Sequence, residues 1–255
     1  MDNNNKEKLH ENYIEGRNAV LEAFRSGKTI DKLFVLDGCQ DGPIKSITRE
    51  ARKHDAIINY VAKERLDQMS ETGKHQGVIA VSAAYEYAEV SDILENAERK
   101  GEPPFIIILD GIEDPHNLGA IIRTANQAGV HGIIIPKRRA VGLTPTVAKT
   151  SAGAINYTPV AKVTNISNTI KELKEKGMWF VCADMGGTTM YDLNLTGPIG
   201  LVIGNEGDGV SKLVKENCDM TASIPMVGDI DSLNASVATG VLAYEIVRQR
   251  LKSGK

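Results

Sequence analysis

The chain has 255 residues, 42% of them hydrophobic and 25% charged, with 30 basic and 33 acidic residues giving a net charge of −3. This composition excludes a disordered chain, a collagen-like chain and a small disulfide scaffold, and the length allows two modest domains or one large one. The slightly acidic balance argues, on average, against a nucleic-acid-binding protein, which is usually basic.

The cysteines and the amino terminus bear on metal content and on location. Cys39, Cys182 and Cys218 lie far apart, whereas zinc clusters and redox motifs need close pairs, and the five histidines form no ligand motif. We therefore expect no metal. Residues 1–11 are polar and contain no apolar signal segment, so we expect a disordered tail on a soluble, cytoplasmic protein without a membrane span.

Residues 12–82 have the pattern of a small α/β domain with balanced charge. Helical and extended patterns alternate along the segment and are separated by polar turns. The predicted elements are a helix ending at Ser26-Gly27, strand Lys32–Leu36, helix Pro43–His54, strand Ile57–Val61, helix Glu64–Met69 and strand Gly77–Ser82.

An acidic segment, residues 83–104, follows this domain. It holds six acidic residues, a short predicted helix Ser91–Lys100 and the helix stop Pro103-Pro104. We expect a linker here, and therefore a domain boundary.

Residues 105–255 alternate unbroken apolar strands with amphipathic helices. The predicted strands are Phe105–Leu109, Gly132–Ile135, Thr158–Val163, Trp179–Ala183, Ile199–Ile203 and Ala222–Pro225. The predicted helices cover residues 117–128, 144–152, 165–176, 210–217 and 232–252. This pattern predicts a parallel sheet with helices on both faces, which binds ligands at the carboxyl ends of its strands. The loops after the first, fourth, fifth and sixth of these strands are the ones in which to look for a site.

Three of these strand ends carry candidate functional residues. After the first strand, Asn117 is a natural helix N-cap and Arg123 follows it two turns into the helix. After the fifth strand, three glycines within Gly204–Gly209 allow close backbone approach to a ligand and flank Glu206. After the last strand, Ile224-Pro225-Met226 leads to two further natural caps, Ser232 and Asn234.

Taken in order, these segments resemble the SpoU/TrmH family of RNA ribose 2′-O-methyltransferases. The motifs are Asn117 with Arg123, Leu201 to Gly207, and Ile224-Pro225-Met226 with Ser232 to Ala238. The first domain resembles the substrate-binding domain of RlmB-like members through Glu15-Gly-Arg17-Asn18 and His75-Gln76-Gly77, so the resemblance covers residues 12–250.

The resemblance implies a fold, a cofactor and partners. It implies a carboxyl-terminal trefoil knot of the SPOUT type, which sequence patterns alone would not suggest because knots are very rare. It also implies S-adenosylmethionine as cofactor, a homodimer formed through the methyltransferase domain 105–255, and an RNA substrate. The expected target is a guanosine ribose in large-subunit rRNA.

The resemblance also assigns roles to residues. The implied catalytic set is Arg123, Asn117, Glu206, Ser232 and Asn234. The implied cofactor-binding set is Gly204, Asn205, Ile224, Met226 and Leu233. We expect RNA contacts from Lys137, Arg138, Arg139, Arg17 and Asn18.

Other functions remain open at this point. The same chemistry on tRNA or on another rRNA position stays open, although the two-domain length and the resemblance of the first domain favour rRNA. A non-catalytic RNA-binding module is the alternative from another class, although the second and third motifs argue against it. A Rossmann-type small-molecule enzyme predicts a glycine fingerprint after the first strand, and Asp110–Gly119 lacks one.

The distribution of charge changes the first impression given by the net charge. Residues 115–171 contain no acidic residue and seven basic ones, including Lys137-Arg138-Arg139. We therefore expect a local RNA-binding surface whose affinity falls as salt rises.

Overall fold

The computed structural model describes residues 12–230 and 232–254, so the expected tail 1–11 lies outside the described residues. The chain forms two compact units and divides between Glu86 and Tyr87, with Gly142–Pro145 grouped with the first unit. None of the helices in the described ranges is both long and apolar enough to cross a bilayer.

The first unit is built on a four-stranded sheet in the order β1-β4-β2-β3. Its elements are β1 Tyr13–Glu15, α1 Arg17–Arg25, β2 Ile30–Leu36, α2 Gly42–Lys53, β3 Ile57–Val61, α3 Lys63–Met69 and β4 Val78–Ser82. Strand β4 is antiparallel to β1 and β2, whereas β3 is parallel to β2. The α/β pattern is confirmed, except that β1 was not expected because three half-buried residues give no periodic signal.

The predicted linker contains a helix that belongs to the second unit. Helix α4, Val90–Lys100, turns Ile93 and Ala97 inward and both are fully buried. Ile93 packs so closely on Gly132 that any side chain there would overlap it. Residues 83–104 thus differ from a free linker, because three of their six acidic residues lie in an amphipathic helix whose apolar face packs on the second unit.

The second unit contains a six-stranded sheet in the order β10-β8-β9-β5-β6-β7, and every pairing in it is parallel. Its strands are β5 Phe105–Asp110, β6 Gly132–Pro136, β7 Val160–Val163, β8 Trp179–Thr189, β9 Ile199–Gly204 and β10 Met220–Ser223. Its further helices are α5 Pro115–Gln127, α6 Pro145–Thr150, α7 Ile166–Glu175, α8 Lys212–Asn217 and α9 Ala235–Lys252.

The central strand of this sheet is buried on both faces. Ile106 and Ile108 of β5 pack in a cluster with residues of α4, α7 and α8, and the alternating residues Ile107 and Leu109 are equally buried. Continuous apolar strands therefore produce the expected parallel sheet, and the predicted α/β class is confirmed. The trefoil knot stays a prediction.

Three element boundaries near the strand ends differ from those predicted. Asp114, not Asn117, caps α5, because its carboxylate accepts the N–H of His116 and Pro115 supplies the first helical residue. Strand β10 ends at Ser223, so Ile224-Pro225-Met226 lies in a loop. Helix α9 begins after Asn234, which caps it, and Ser232 and Leu233 precede the helix.

Candidate functional site

The turn after β9 is held rigidly by its own sequence. A Cβ on Gly204 would overlap the backbone of Gly209 and Val210, so only glycine fits at this position. The Asn205 Oδ1 accepts the N–H groups of Gly207 at 2.9 Å and Asp208 at 2.7 Å. This turn therefore keeps one shape and presents backbone atoms to whatever lies beside it.

A bulge in β8 forms the opposite side of the site. Met220 and Thr221 of β10 pair with β8 at residues 181 and 182, but Ala222 pairs with Thr188, so residues 183–187 leave the ladder. Asp184 in this bulge pairs with Lys215 at 2.7 Å, and that hydrogen bond is the main reason that the pKa of Asp184 is lowered. None of the residues that the sequence predicted as catalytic, cofactor-binding or RNA-binding lies in this bulge.

A cavity of about 280 Å³ lies between the Gly204 turn, the β8 bulge and the loop before α9. All five residues of the implied cofactor set line it, as do Glu206 and Ser232 from the implied catalytic set. The sequence did not single out four further lining residues: Ala183, Asp184, Met185 and Leu242. The first three lie in the bulge of β8, close to the predicted end of the fourth strand, which is one of the strand ends expected to carry a ligand.

A polar cluster stands at the edge of this cavity. The Asn117 Nδ2 donates a short hydrogen bond to Glu206, and the Asn117 Oδ1 accepts from Asn234 Nδ2 at 3.0 Å. The Asn234 Oδ1 in turn accepts the N–H of Ser236, also at 3.0 Å. Because Asp114 caps α5, the Asn117 side chain is free to join the other two motifs. Three motifs far apart in the sequence thus meet through one buried amide.

Arg123 does not join this cluster. Six residues after Asn117, it lies about 120° around α5 and roughly 9 Å further along the helix axis. Its side chain is exposed and, among the residues that the structure describes, has neither a hydrogen bond nor an ion pair. The next residue, Thr124, which lies about 100° around the helix from Arg123, is the one that faces α9, since a Cβ on Gly240 would be 3.7 Å from Thr124 Cγ2.

The basic segment Lys137-Arg138-Arg139 follows β6 at the same edge of the sheet. Arg138 and Arg139 are exposed, and Arg139 has a φ of +56°, a conformation unusual for a side chain this large. The Val141 N–H donates to Ile112 O at 3.0 Å, which holds this loop beside the one that starts at Gly111. Gly111 in turn approaches Asn205, because a Cβ on it would lie 3.1 Å from the asparagine Nδ2.

The two residues of the first unit that were expected to bind RNA differ in their contacts. The Arg17 guanidinium donates to Asp41 at 2.6 Å and to Gln76 O at 3.1 Å, whereas Asn18 is exposed. The N–H of Ile44 and then the charge and hydrogen bond of Arg17 hold the pKa of Asp41 below its ordinary value.

Both units match known protein families. The profile of the SpoU rRNA Methylase family matches residues 104–244. A second profile, RNA 2′-O ribose methyltransferase substrate binding, matches residues 13–88. The chain belongs to the SpoU/TrmH family of RNA methyltransferases. Its predicted membership is therefore confirmed, and so is the assignment of the first unit to a substrate-binding domain.

SpoU/TrmH proteins of several bacteria align with nearly the whole chain. YacO of Bacillus subtilis, assigned to the TrmH family of tRNA/rRNA methyltransferases, is 50% identical over 95% of this chain and 98% of its own length. A Staphylococcus saprophyticus relative with the same assignment is 47% identical over 95% of this chain and 97% of its own length.

Solved SpoU/TrmH structures share the fold. The SpoU methyltransferase AviRb of Streptomyces viridochromogenes, solved with the cofactor AdoMet, is 25% identical with a TM-score of 0.60, over 98% of this chain and 94% of its own. The TrmH/SpoU tRNA-modifying enzyme of A. aeolicus is 29% identical with a TM-score of 0.54, over 64% of this chain and 86% of its own.

Within residues 12–230 and 232–254, no three His, Cys, Asp or Glu side chains lie close enough to hold one ion. The expectation of metal-free chemistry stays a prediction.

Proposed function

We propose that the protein transfers a methyl group from S-adenosylmethionine to a ribose 2′-hydroxyl of RNA, and that the target is a guanosine in large-subunit rRNA. One observation carries the proposal: the cavity lined by all five implied cofactor residues lies directly beside the Asn117–Glu206–Asn234 cluster. The AviRb structure with AdoMet supports the choice of cofactor.

The cavity fits a ligand that is part apolar and part polar. Ile224, Met226 and Leu233 offer apolar contacts, whereas Gly204 and its neighbours offer backbone groups that a side chain would obstruct. A volume of about 280 Å³ is close to the lower end for small-molecule sites, roughly 300 Å³. When bound, S-adenosylmethionine supplies an electrophilic methyl group, so the protein itself must activate only the ribose hydroxyl.

Arg123 is the residue to which we assign this activation. A guanidinium stays protonated in proteins, so Arg123 does not serve as a free general base. Instead it orients the hydroxyl and the adjacent phosphate and stabilises the alkoxide as its charge develops, with a phosphate oxygen taking the proton. Its exposure and its lack of partners within the described residues leave all of its donors available to the RNA.

The polar cluster and Ser232 hold the reacting groups in place. Glu206 and Asn234 fix both ends of the Asn117 amide, and the cluster therefore positions the ribose beside the cavity. Ser232, exposed at the cavity wall, adds a hydroxyl donor to the same surface.

We further propose a homodimer formed through the second unit. Helix α9 exposes an apolar stripe at helical spacing, in which Val237 and Tyr244 are each 50% exposed and Leu251 is 73% exposed. An exposed apolar stripe of this kind is typical of an interface. Because α5 packs against α9, a dimer through this stripe would also bring the two copies of α5, the helix that carries Arg123, towards the interface.

The RNA class is the finer part of the proposal. The two-unit organisation, with a substrate-binding unit ahead of the methyltransferase unit, favours rRNA over tRNA. The alternative target is tRNA. It is supported by the A. aeolicus enzyme, which is named for tRNA modification, although that enzyme aligns with only 64% of this chain. We place the protein in the cytoplasm, where its RNA substrate is found.

The test is methyl transfer to RNA from cells that lack this gene. The purified protein and tritiated S-adenosylmethionine are incubated with that RNA, which is then separated by size and digested to nucleosides. We expect label in large-subunit rRNA as 2′-O-methylguanosine. Label in tRNA alone would move the target to tRNA. Absence of label in any RNA, with RNA binding retained, would favour the non-catalytic module.

A further inference from the structure

A groove in the first unit has no role in the chemistry described above. It lies at the carboxyl ends of β2 and β3 and has a volume of about 440 Å³. Its walls are the loop Asp37–Gln40, one face of α2, and Tyr60 of β3.

The ring of Tyr60 is exposed because of the position of this residue in the sheet. Strand β3 is at the edge of the sheet, and Tyr60 pairs with Val35 near its carboxyl end. Ile58, two residues earlier on the same face, packs against the core, but Tyr60 lies beyond that core and is 52% exposed. An exposed aromatic ring at the wall of a groove is a surface on which a flat group can stack.

The face of α2 that lines the groove is basic. Lys45, Thr48 and Arg52 line it and follow a spacing of three and four residues, which places them on one side of the helix. The one acidic residue of α2, Glu50, lies within 4.0 Å of Arg49, Lys53 and His54 instead. Within the described residues, Lys45 and Arg52 have no ion pair.

We propose that this groove binds one unpaired nucleotide of the RNA substrate, with its base stacked on Tyr60 and its phosphates on Lys45 and Arg52. Aromatic rings with neighbouring cations are the usual means of holding single-stranded RNA, because every base has a face that can stack. The base must be unpaired, since a ring at the wall of a groove cannot reach a base face inside a duplex. Asp37, also in the groove, offers a carboxylate that can accept an N–H of the bound base, such as the amino group of cytosine.

This inference rests on the proposed function, because it assumes an RNA substrate. It goes further by assigning particular residues of the substrate-binding unit, Tyr60, Lys45 and Arg52, to one nucleotide of that RNA. A loop or a bulge of the RNA, not a regular helix, would supply that nucleotide.

The experiment measures RNA binding by the full-length protein with fluorescence anisotropy. The probes are a labelled ten-nucleotide oligocytidylate and a labelled, blunt-ended RNA duplex without unpaired nucleotides, whose binding Tyr60→Ala should leave unchanged. We expect Tyr60→Ala to weaken binding of the single-stranded probe about 10-fold and Tyr60→Phe to bind normally, because stacking needs only the ring. The matched control is Tyr157→Ala, which removes a tyrosine that is 78% exposed in the second unit.

The cations give a second, independent readout. Replacing Lys45 and Arg52 with alanine should lower the slope of log affinity against log salt by about 1.4, since each phosphate contact to a single strand contributes roughly 0.7. Equal effects of Tyr60→Ala and Tyr157→Ala on the oligocytidylate, or an unchanged salt slope, would overturn the groove as an RNA site.

Methyl transfer distinguishes this inference from the proposed function. If the wild-type protein methylates RNA from cells that lack the gene and Tyr60→Ala leaves its KM unchanged, the groove proposal alone fails. If the wild-type protein methylates no RNA, the proposed function fails, whatever the oligocytidylate shows.

Discussion

The motif residues of the two units differ in what they contact: those of the first unit bind other residues of the protein, whereas those of the second unit lie at a cavity or face solvent. In the first unit, Glu15 accepts hydrogen bonds from Ser70, Glu71 and Thr72, and the Arg17 guanidinium is engaged by Asp41 and Gln76. These contacts hold loops together. In the second unit, the motif residues meet at the edge of a cavity, and Arg123 faces solvent with no described partner. Family motifs therefore mark residues that hold a loop as well as residues that face a ligand, and only their contacts separate the two.

The largest expected effect is that of Arg123→Ala on methyl transfer. Removing one donor that stabilises a developing negative charge costs about 100- to 1,000-fold in rate, so we expect a loss of at least 100-fold in kcat. Binding of S-adenosylmethionine, measured by calorimetry, should be unchanged because Arg123 does not line the cavity. The control is Gln127→Ala, one turn further along the same exposed face of α5. Near-normal turnover of Arg123→Ala would remove Arg123 from the mechanism.

The second effect concerns the basic segment of the second unit. Replacing Lys137, Arg138 and Arg139 with alanine should weaken RNA binding and lower the salt slope by about 2, because each phosphate contact contributes roughly 0.7 to 0.9. The charge-matched control replaces Lys176, Lys212 and Lys252. If both triple variants change the slope equally, the segment contributes only through net charge.

The third effect tests the structural role of Glu15 through pH. Burial opposes the charged carboxylate, but hydrogen bonds from Ser70, Thr72 and Glu71 outweigh it and lower the pKa of Glu15. The stabilisation is therefore present above the unfolded-state pKa of about 4.3 and is lost as pH falls through the lower, folded-state value.

Urea unfolding of Glu15→Gln, followed by circular dichroism, measures this stabilisation. We expect the variant to be less stable than the wild type by about 1–2 kcal/mol at pH 7, since hydrogen bonds to a charged group are strong. The difference should shrink towards zero near pH 3. A difference that is the same at pH 7 and pH 3 would show that the charge of Glu15 does not contribute.

The smallest effect is expected for Arg17→Ala. Because its guanidinium already has partners within the protein, the variant should lose a few degrees in Tm and keep the salt slope of RNA binding. Asn18→Ala, next to it and exposed, serves as the comparison. A slope reduced by about 0.7 in Arg17→Ala would instead assign Arg17 to the RNA, as its motif suggests.

Much of the second unit could be predicted from the sequence, because continuous apolar runs such as Phe105–Leu109 occur in strands buried on both faces. Helix starts were harder to predict. Asn117 has the chemistry of a cap, but Asp114 followed by Pro115 is the stronger start signal, and this shift releases Asn117 to the cluster. The sequence did not predict the bulge at residues 183–187. The bulge is a break in the pairing of β8 with β10, and local sequence does not show which strand will pair with β8.

The charge of the first unit shows a similar limit. Its 13 basic and 13 acidic residues up to residue 82 balance, which hid the basic face of α2. Lys45 and Arg52 become a surface only when the helix brings them to one side and Glu50 lies against other cations. Whether basic side chains form such a surface depends on which of them pair with acidic residues on the helix, and the net charge of the unit does not show that pairing.

The central claim is that the cavity at the Gly204 turn holds S-adenosylmethionine, and calorimetric titration of the full-length protein tests it most directly. We predict that the wild type and Gly197→Ala, a glycine with open space around it, bind the cofactor alike. Gly204→Ala should lose binding because its Cβ displaces the turn, and Leu233→Ala, in the loop before α9, should bind about 10-fold more weakly because an apolar contact is lost. A wild-type protein that does not bind, or Gly204→Ala and Leu233→Ala variants that bind as tightly as it does, would contradict the claim.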